Sequence, residues 1–124
     1  MGLVNEDGKI EFGFDENRDL ILVDVVGTPD ECRFNFHGVP VSKEAMRIFY
    51  RNTEWYTEVS EARKKDRLRW KELVNSQPPS LPSKLEKLIS LLYQACANEI
   101  TRKEWFATPS LREIVLEIKG ILGQ

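Results

Sequence analysis

An acid and a lysine share one face of a strand-like segment near the start of the chain. In residues 9–14, alternation places Lys9 and Glu11 on one face and apolar side chains on the other. We expect the apolar face to be core and the opposite face to be polar. A second strand over residues 20–26 follows a polar turn, so the two segments predict an antiparallel hairpin.

Asp24 lies in the second strand, on the face of two leucines, where burial would otherwise be expected to continue. A carboxylate there needs a partner, because an unpaired charge removed from water is costly. If the strands pair, Glu11 and Asp24 could hold one cation between them. Two carboxylates with waters and phosphate oxygens suit Mg²⁺. An ordinary hairpin whose acids are solvated fits the same spacing.

The next segment is a turn followed by an arginine. Pro29 fixes the backbone and Asp30 can cap backbone N–H groups, which predicts a turn. Arg33 follows as an ion-pair partner for Asp30 or Glu31. On the turn pattern alone, these side chains are structural.

Two basic residues share a face of the first predicted helix, which begins at Ser42. Lys43 and Arg47 are four residues apart, so they project side by side. Like charges at this spacing repel weakly unless an anion neutralises them. The pair is therefore either an anion-binding face or two solvated cations beside Glu44.

Composition restricts the classes to which the chain can belong. Its 124 residues carry a formal net charge of −2, and 31% of them are charged, with both signs mixed. This balance gives no electrostatic case for nucleic acid or a membrane as a partner. The chain has two cysteines, Cys32 and Cys96, without the spacing of a metal site, and it shows no signal peptide or long apolar run. These features are typical of a cytoplasmic protein.

Two further features are interpreted as structural. The basic run at residues 63–69 is interrupted by an acid and has no aromatic residue before Trp70, which favours a solvated helix face over RNA binding. The only histidine, His37, lies in a predicted loop over residues 35–41 and has no partners for a catalytic triad.

The order of elements predicts an α+β fold. A short strand at residues 2–4 and a polar turn at 5–8 precede the hairpin, giving a small antiparallel sheet, and about four helices follow. Four helix starts are expected: Ser42, Asn52 or Thr53, a capping box over residues 83–86, and Pro109 at the first position of the last helix.

The second helix should extend to about residue 75, and a proline-rich linker should follow at 77–82. The last two helices carry apolar stripes between Leu85 and Leu122, which should pack on each other and on the helix containing Trp55. We expect residues 1–41 to be a sheet segment and residues 42–124 a helical segment, together one partial domain.

Three segments occur in a fixed order in the first part of the chain: Lys9-x-Glu11-Phe12-Gly13, Leu22-x-Asp24 and Pro29-Asp30-x-x-Arg33-Phe34. In the order and spacing of five polar positions, they resemble the later half of phosphoribosylaminoimidazole-succinocarboxamide synthase, the SAICAR synthetase of purine biosynthesis. The resemblance is strongest over residues 2–50, and the helical remainder resembles the tail of the archaeal branch.

The resemblance implies a ligase that joins the carboxylate of a carboxyaminoimidazole ribotide to the amine of L-aspartate, with ATP as co-substrate and an acyl phosphate intermediate. It implies that Glu11 and Asp24 hold Mg²⁺, and that Lys9 is catalytic, adding positive charge at the reacting carboxylate or phosphate. It also implies four residues that bind the ribotide substrate: Asp30, Arg33, Lys43 and Arg47.

The family's ATP-binding lobe has no counterpart in this sequence, and no glycine-rich phosphate loop occurs in it. We therefore expect the chain to be the C-terminal part of the synthetase and inactive alone. Its partner would be the missing N-terminal half or a second copy, and a homo-oligomer is possible. The alternative is a non-catalytic helical interaction module that binds a partner through the stripes between Leu85 and Leu122.

Overall fold

A computed structural model describes residues 2–123 and confirms the predicted α+β fold. Strands occupy the first third of the chain and helices the rest. The elements are β1 (Leu3–Gly8), β2 (Glu11–Phe14), β3 (Leu20–Val23), β4 (Cys32–Phe36), β5 (Val39–Pro40), α1 (Glu44–Arg51), α2 (Glu54–Lys65), a 3-10 turn (Trp70–Glu72), α3 (Ser83–Thr101) and α4 (Leu111–Leu122). The strands form two antiparallel sheets, β1-β4-β5 and β2-β3.

β1 is longer than predicted. Residues 5–8, expected to be a turn, continue the strand because they pair with β4, where Asp7 lies opposite Arg33. Residues 9 and 10 connect β1 to β2, so the first strand of the hairpin begins at Glu11 rather than at Lys9. Pairing with β4 outweighs the low strand propensity of Asn, Asp and Gly in this stretch.

β3 ends at Val23, three residues before the predicted end. Asp24 has φ 68°, a left-handed conformation that takes the chain out of the sheet. Aspartate tolerates this conformation because its short carboxylate can bond to nearby backbone. Here its Oδ1 accepts a hydrogen bond from the Val25 N–H at 2.8 Å.

A second hairpin occupies most of the segment predicted as a loop at 35–41. β4 and β5 are joined by His37 and Gly38, both with positive φ, at 50° and 83°. Two such residues between paired strands are typical of a type I′ turn. The His37 ring packs edge-on against Phe36, with centroids 4.6 Å apart.

The first two helices begin where expected, but the second ends early. The Ser42 hydroxyl accepts a hydrogen bond from the Glu44 N–H at 3.1 Å, and Thr53 caps α2. α2 stops at Lys65 rather than near residue 75. Asp66 is extended, and its carboxylate accepts from two backbone N–H groups further along, which favours a turn over another helical turn.

The capping box lies on the last helix, not on the third. α3 begins at Ser83 without a side-chain cap, so the box predicted there is wrong. Ser110 and Glu113 form a reciprocal box at the start of α4, and the helix therefore begins after Ser110 rather than at Pro109.

The core lies between α3, α4, the β4–β5 hairpin and the start of α1. The two predicted stripes are buried in it, with Leu122 partly buried: Leu85, Leu88, Ile89, Leu92 and Cys96 on α3, and Leu111, Ile114, Val115 and Ile118 on α4. Among the described residues, α2 contributes no side chain to this core, so the expected packing on the Trp55 helix is wrong. The phenylalanines of β4 take that place, since Phe34 and Phe36 are buried.

The apolar face of the β2–β3 hairpin is exposed, contrary to the expectation of a core face. Phe12 is paired with Leu22 and Phe14 with Leu20. These four side chains are between 53% and 69% exposed. Within the described residues, nothing covers this face.

Candidate functional site

Lys9 lies at the junction of the two sheets, between β1 and β2. Its backbone N–H donates to the carbonyl of Glu31 at 2.8 Å, which fixes the junction against the segment before β4. Its ammonium forms an ion pair with the carboxylate of Glu11. The hydrogen bond and charge of Glu11, assisted by the charges of Glu31 and Asp24, raise the pKa of Lys9. The side chain is therefore a permanent cation at neutral pH and not a base.

Glu11 and Asp24 lie on neighbouring strands but are not directly opposite. The residue across from Glu11 is Val23, and Asp24 is one position further on. Strict alternation would put the two acids on opposite faces, but the left-handed backbone of Asp24 releases it from that alternation. Lys9 pairs directly with Glu11, and the charge of Asp24 acts on the same ammonium only as the last and smallest cause of its raised pKa.

The donor set in this region is chemically suited to Mg²⁺. Glu11 and Asp24 offer hard carboxylate oxygens, and a site with two protein ligands can be completed by water and phosphate oxygens. Among residues 2–123, no three His, Cys, Asp or Glu side chains converge on one point that could hold a metal ion. A cation held here would therefore depend on ligands beyond these two acids.

Asp30 is held from the far end of the chain. The hydroxyl of Tyr93 on α3 donates to its Oδ1 at 2.8 Å. Burial of the phenol, followed by the hydrogen bond and charge of Asp30, raises the pKa of Tyr93. A cavity of about 530 Å³ lies beside this pair, between residues 25–31 and α3. Its wall includes Thr28, whose buried hydroxyl has no hydrogen-bond partner among residues 2–123.

Arg33 pairs with neither of the acids predicted for it. It lies opposite Asp7 in the β1–β4 ladder, and its Nε donates to Asp7 Oδ1 at 2.7 Å while a second nitrogen bonds to Oδ2. This is the two-point geometry that a guanidinium makes with a carboxylate. The hydrogen bond from Arg33 lowers the pKa of Asp7. Sequence reasoning missed Asp7 because it assigned that residue to a turn.

Arg47 and Lys43 differ in their ion pairing, since only Arg47 has a carboxylate partner among the described residues. Arg47 lies 3.3 Å from the carboxylate of Glu44, and Arg51 pairs with the other oxygen of that acid. Partial burial acts to raise the pKa of Glu44, but the hydrogen bonds from Arg51 and Arg47 outweigh it and lower the pKa. Among the described residues, no carboxylate pairs with Lys43. The face is a mixed-charge cluster that includes Arg51, which the four-residue spacing did not reveal.

Tyr93 is the other residue that sequence reasoning missed. It lies beside the buried stripe of α3, where an aromatic side chain is expected to be core packing. Its contact with Asp30 joins residues 63 positions apart, and no local pattern encodes such a pairing.

None of the helices in the described part of the chain is both long enough and apolar enough to cross a membrane.

Comparison with known proteins agrees with the resemblance carried by the β1–β4 region. A family model described as SAICAR synthetase matches residues 1–77. A protein of Archaeoglobus fulgidus provisionally named phosphoribosylaminoimidazole-succinocarboxamide synthase is 48% identical over 121 residues, covering 98% of this chain and 36% of its own length. The enzyme of that name from Thermoplasma acidophilum is 32% identical over 111 residues, covering 84% of this chain and 36% of its own length.

The chain therefore belongs to the SAICAR synthetase family, which confirms the resemblance seen in its motifs. It spans about a third of the length of these relatives and matches their C-terminal part.

Proposed function

We propose that this chain supplies the C-terminal part of the active site of a purine-biosynthesis ligase, which joins a carboxyaminoimidazole ribotide to L-aspartate at the expense of ATP. The observation that carries the proposal is the ion pair of Lys9 with Glu11, in a chain that aligns over 98% of its length with a relative named for this reaction. A cytoplasmic location is part of the same proposal.

The first role of Lys9, Glu11 and Asp24 is to bind a metal-bearing phosphate. Glu11 and Asp24 would hold Mg²⁺, which when bound would neutralise the charge of the transferring phosphate. Lys9 keeps its proton at neutral pH and would add a positive charge beside the reacting carboxylate or phosphate. Because Lys9 already pairs with Glu11, it would also hold that carboxylate in position before substrates arrive.

The second role is to bind and orient the ribotide, which we assign to Asp30, Arg33, Lys43 and Arg47. Asp30 has one oxygen fixed by Tyr93 and the other free to accept from a hydroxyl or amino group. The guanidinium of Arg33 already donates two hydrogen bonds to the carboxylate of Asp7. It would therefore bind a substrate anion through its remaining N–H groups, or release Asp7 when the anion binds. Arg47 shares Glu44 with Arg51, so a phosphate there would compete with one carboxylate for two cations.

The exposed apolar face of the β2–β3 hairpin supports the proposal that the active enzyme needs sequence beyond residues 1–124. Phe12, Phe14, Leu20 and Leu22 lie on one face and are more than half exposed. Burying such a side chain stabilises a fold by about 1.5–3 kcal/mol, so a protein that left four of them in water would forgo a large part of its stability. We propose that the part of the enzyme which the relatives carry and residues 1–124 lack covers this face. The isolated chain should then be inactive.

The division into a sheet segment at 1–41 and a helical segment at 42–124 remains a prediction within this proposal. The core joins the two, since Phe34 and Phe36 pack with α3 and α4. The same core removes the surface on which the alternative depended. An interaction module was to bind through the stripes of α3 and α4, and both stripes are already buried.

Complementation tests the proposal. The 124-residue chain would be assayed for ADP release with ATP, Mg²⁺, ribotide and L-aspartate, alone and mixed with the remaining sequence of the Archaeoglobus fulgidus relative. We expect turnover only in the mixture. Turnover by the isolated chain would refute its dependence on further sequence, and a stable mixed complex without turnover would refute the assigned reaction.

A further inference from the structure

Tyr93 lies on α3, outside the part of the chain that the SAICAR synthetase model matches, which ends at residue 77. None of the motifs that carry the family resemblance includes this residue. Its hydroxyl nevertheless contacts Asp30, to which ribotide binding is assigned above. The contact therefore brings a helix from beyond the matched region to the candidate site.

The turn that carries Asp30 fixes the backbone of this residue but not its carboxylate. The backbone N–H groups of Glu31 and Cys32 both donate to the carbonyl of Thr28, at 3.2 and 2.9 Å. Pro29 is buried and restricts the backbone further. Asp30 itself is exposed, so the turn alone leaves its side chain free to change rotamer.

Tyr93 removes that freedom from a rigid position. Its hydroxyl donates to Asp30 Oδ1 at 2.8 Å, and within residues 2–123 the other carboxylate oxygen accepts no hydrogen bond. The ring packs against the core, and its neighbours on α3, Leu92 and Cys96, are fully buried. Because the helix is anchored there, the phenol fixes one oxygen of the carboxylate and leaves the second available to a ligand.

The same hydroxyl lies beside a second residue assigned to the ribotide. Burial raises the pKa of the Tyr93 phenol, whereas a hydrogen bond from the backbone of Lys43 acts in the opposite direction. Asp30 and Tyr93 also line the cavity of about 530 Å³, which is in the size range of small-molecule sites. The phenol therefore connects the turn of Asp30 with the start of α1 beside a space that can admit a ligand.

We propose that Tyr93 is a positioning residue of the ribotide site, which holds the carboxylate of Asp30 in its substrate-binding orientation. The inference rests on the proposed function, because Asp30 is a substrate ligand only there. A carboxylate that is already held loses less rotational freedom when the substrate binds, so the affinity rises. Tyr93 does not contact the reacting groups in this role and should not change the chemical step.

The Michaelis constants of the complemented enzyme test this role. Tyr93→Phe removes the hydroxyl and keeps the ring in the core. We expect the KM for the ribotide to rise about three- to tenfold, with kcat and the KM for ATP close to wild type. A rise in KM without a change in kcat is the result expected when binding is lost equally from the ground state and the transition state.

Two controls separate positioning from a general loss of stability. Ser110→Ala removes the capping box of α4, so it should also destabilise the protein while leaving the KM for the ribotide unchanged. In an Asp30→Ala background, Tyr93→Phe should add no further rise in that KM, since the residue that it positions is gone. Circular dichroism would show that each variant is folded, and Tyr93→Leu replaces Tyr93→Phe if it is not, with the same result expected.

The outcomes distinguish this inference from the proposed function. A wild-type KM for the ribotide in Tyr93→Phe, in a complemented enzyme that turns over, would overturn the inference alone. An equal rise in Tyr93→Phe and Ser110→Ala would show that the hydroxyl acts only through stability. A rise that persists in the Asp30→Ala background would show that Tyr93 does not act through Asp30. Absence of turnover in the wild-type mixture would refute the proposed function and this inference with it.

Discussion

Replacing Tyr93 by phenylalanine removes one hydroxyl from the structure and keeps the ring that packs on the core. The lost interaction is the hydrogen bond to Asp30 Oδ1 at 2.8 Å. A hydrogen bond to a charged group contributes about 1.5–3 kcal/mol to stability. Because Asp30 is exposed and water can replace the phenol, we expect a loss below that range, about 1–1.5 kcal/mol.

A double-mutant cycle isolates this contribution. Urea unfolding of Tyr93→Phe, Asp30→Ala and the double variant would give the coupling free energy, and we expect about 1 kcal/mol. Asp30→Asn is the matched control, since its amide oxygen still accepts and the loss should be smaller. Coupling close to zero would show that the contact does not connect α3 to the turn at residues 28–31.

The contact between Tyr93 and Asp30 also predicts that the stability of the protein depends on pH. The direction of this dependence follows from the raised pKa of the Tyr93 phenol. Burial, and then Asp30, raise the pKa of Tyr93 in the folded protein above the ordinary value near 10. The folded state therefore favours the neutral phenol. Its stabilisation is complete below the unfolded pKa and is lost as pH rises through the folded pKa. The stability difference between wild type and Tyr93→Phe should shrink above about pH 10, and a difference that grows there would refute the assignment.

Three further predictions concern the core and the helix ends. Burial raises the pKa of Cys96 to about 12, so a thiol reagent should leave it unmodified until urea unfolds the protein, and rapid native labelling would contradict its burial. Leu92→Ala should cost about 2–5 kcal/mol by urea unfolding and Leu116→Ala, at an exposed position, less than about 0.5, so equal losses would contradict the core assignment. Ser110→Ala should cost about 0.5–2 kcal/mol and Ser83→Ala much less, and the reverse order would place the capping box on α3 after all.

Periodicity and local chemistry predicted most of the helical half. The stripes of α3 and α4 are buried as expected. Apolar residues repeated at helical spacing lie on one face of the helix, and that face packs against the core. Thr53 was one of the two caps predicted for α2, and the structure selects it over Asn52. The ends of β3 and α2 could not be predicted in this way. Asp24 and Asp66 terminate these elements through hydrogen bonds between their side chains and the backbone.

The contacts of the candidate site were largely hidden from sequence reasoning. Arg33 pairs with Asp7 because β1 lies beside β4, and that neighbourhood depends on the sheet order rather than on any local signal. Tyr93 contacts Asp30 through the position of α3 against the loop before β4, across 63 positions of the chain. Residue types and spacing identified the candidate site residues through the family motif. The partner of each side chain could be identified only from the three-dimensional structure.

We propose that Glu11 and Asp24 act together as the magnesium-binding acids of a ligase site. The most direct measurement is the Mg²⁺ dependence of ADP release by the complemented enzyme, carrying Glu11→Gln, Asp24→Asn or the control Asp19→Asn at the hairpin turn. We expect the first two variants each to raise the Mg²⁺ requirement or abolish turnover, and the control to behave as wild type. Wild-type Mg²⁺ dependence in both site variants, or an equal defect in all three, would contradict it.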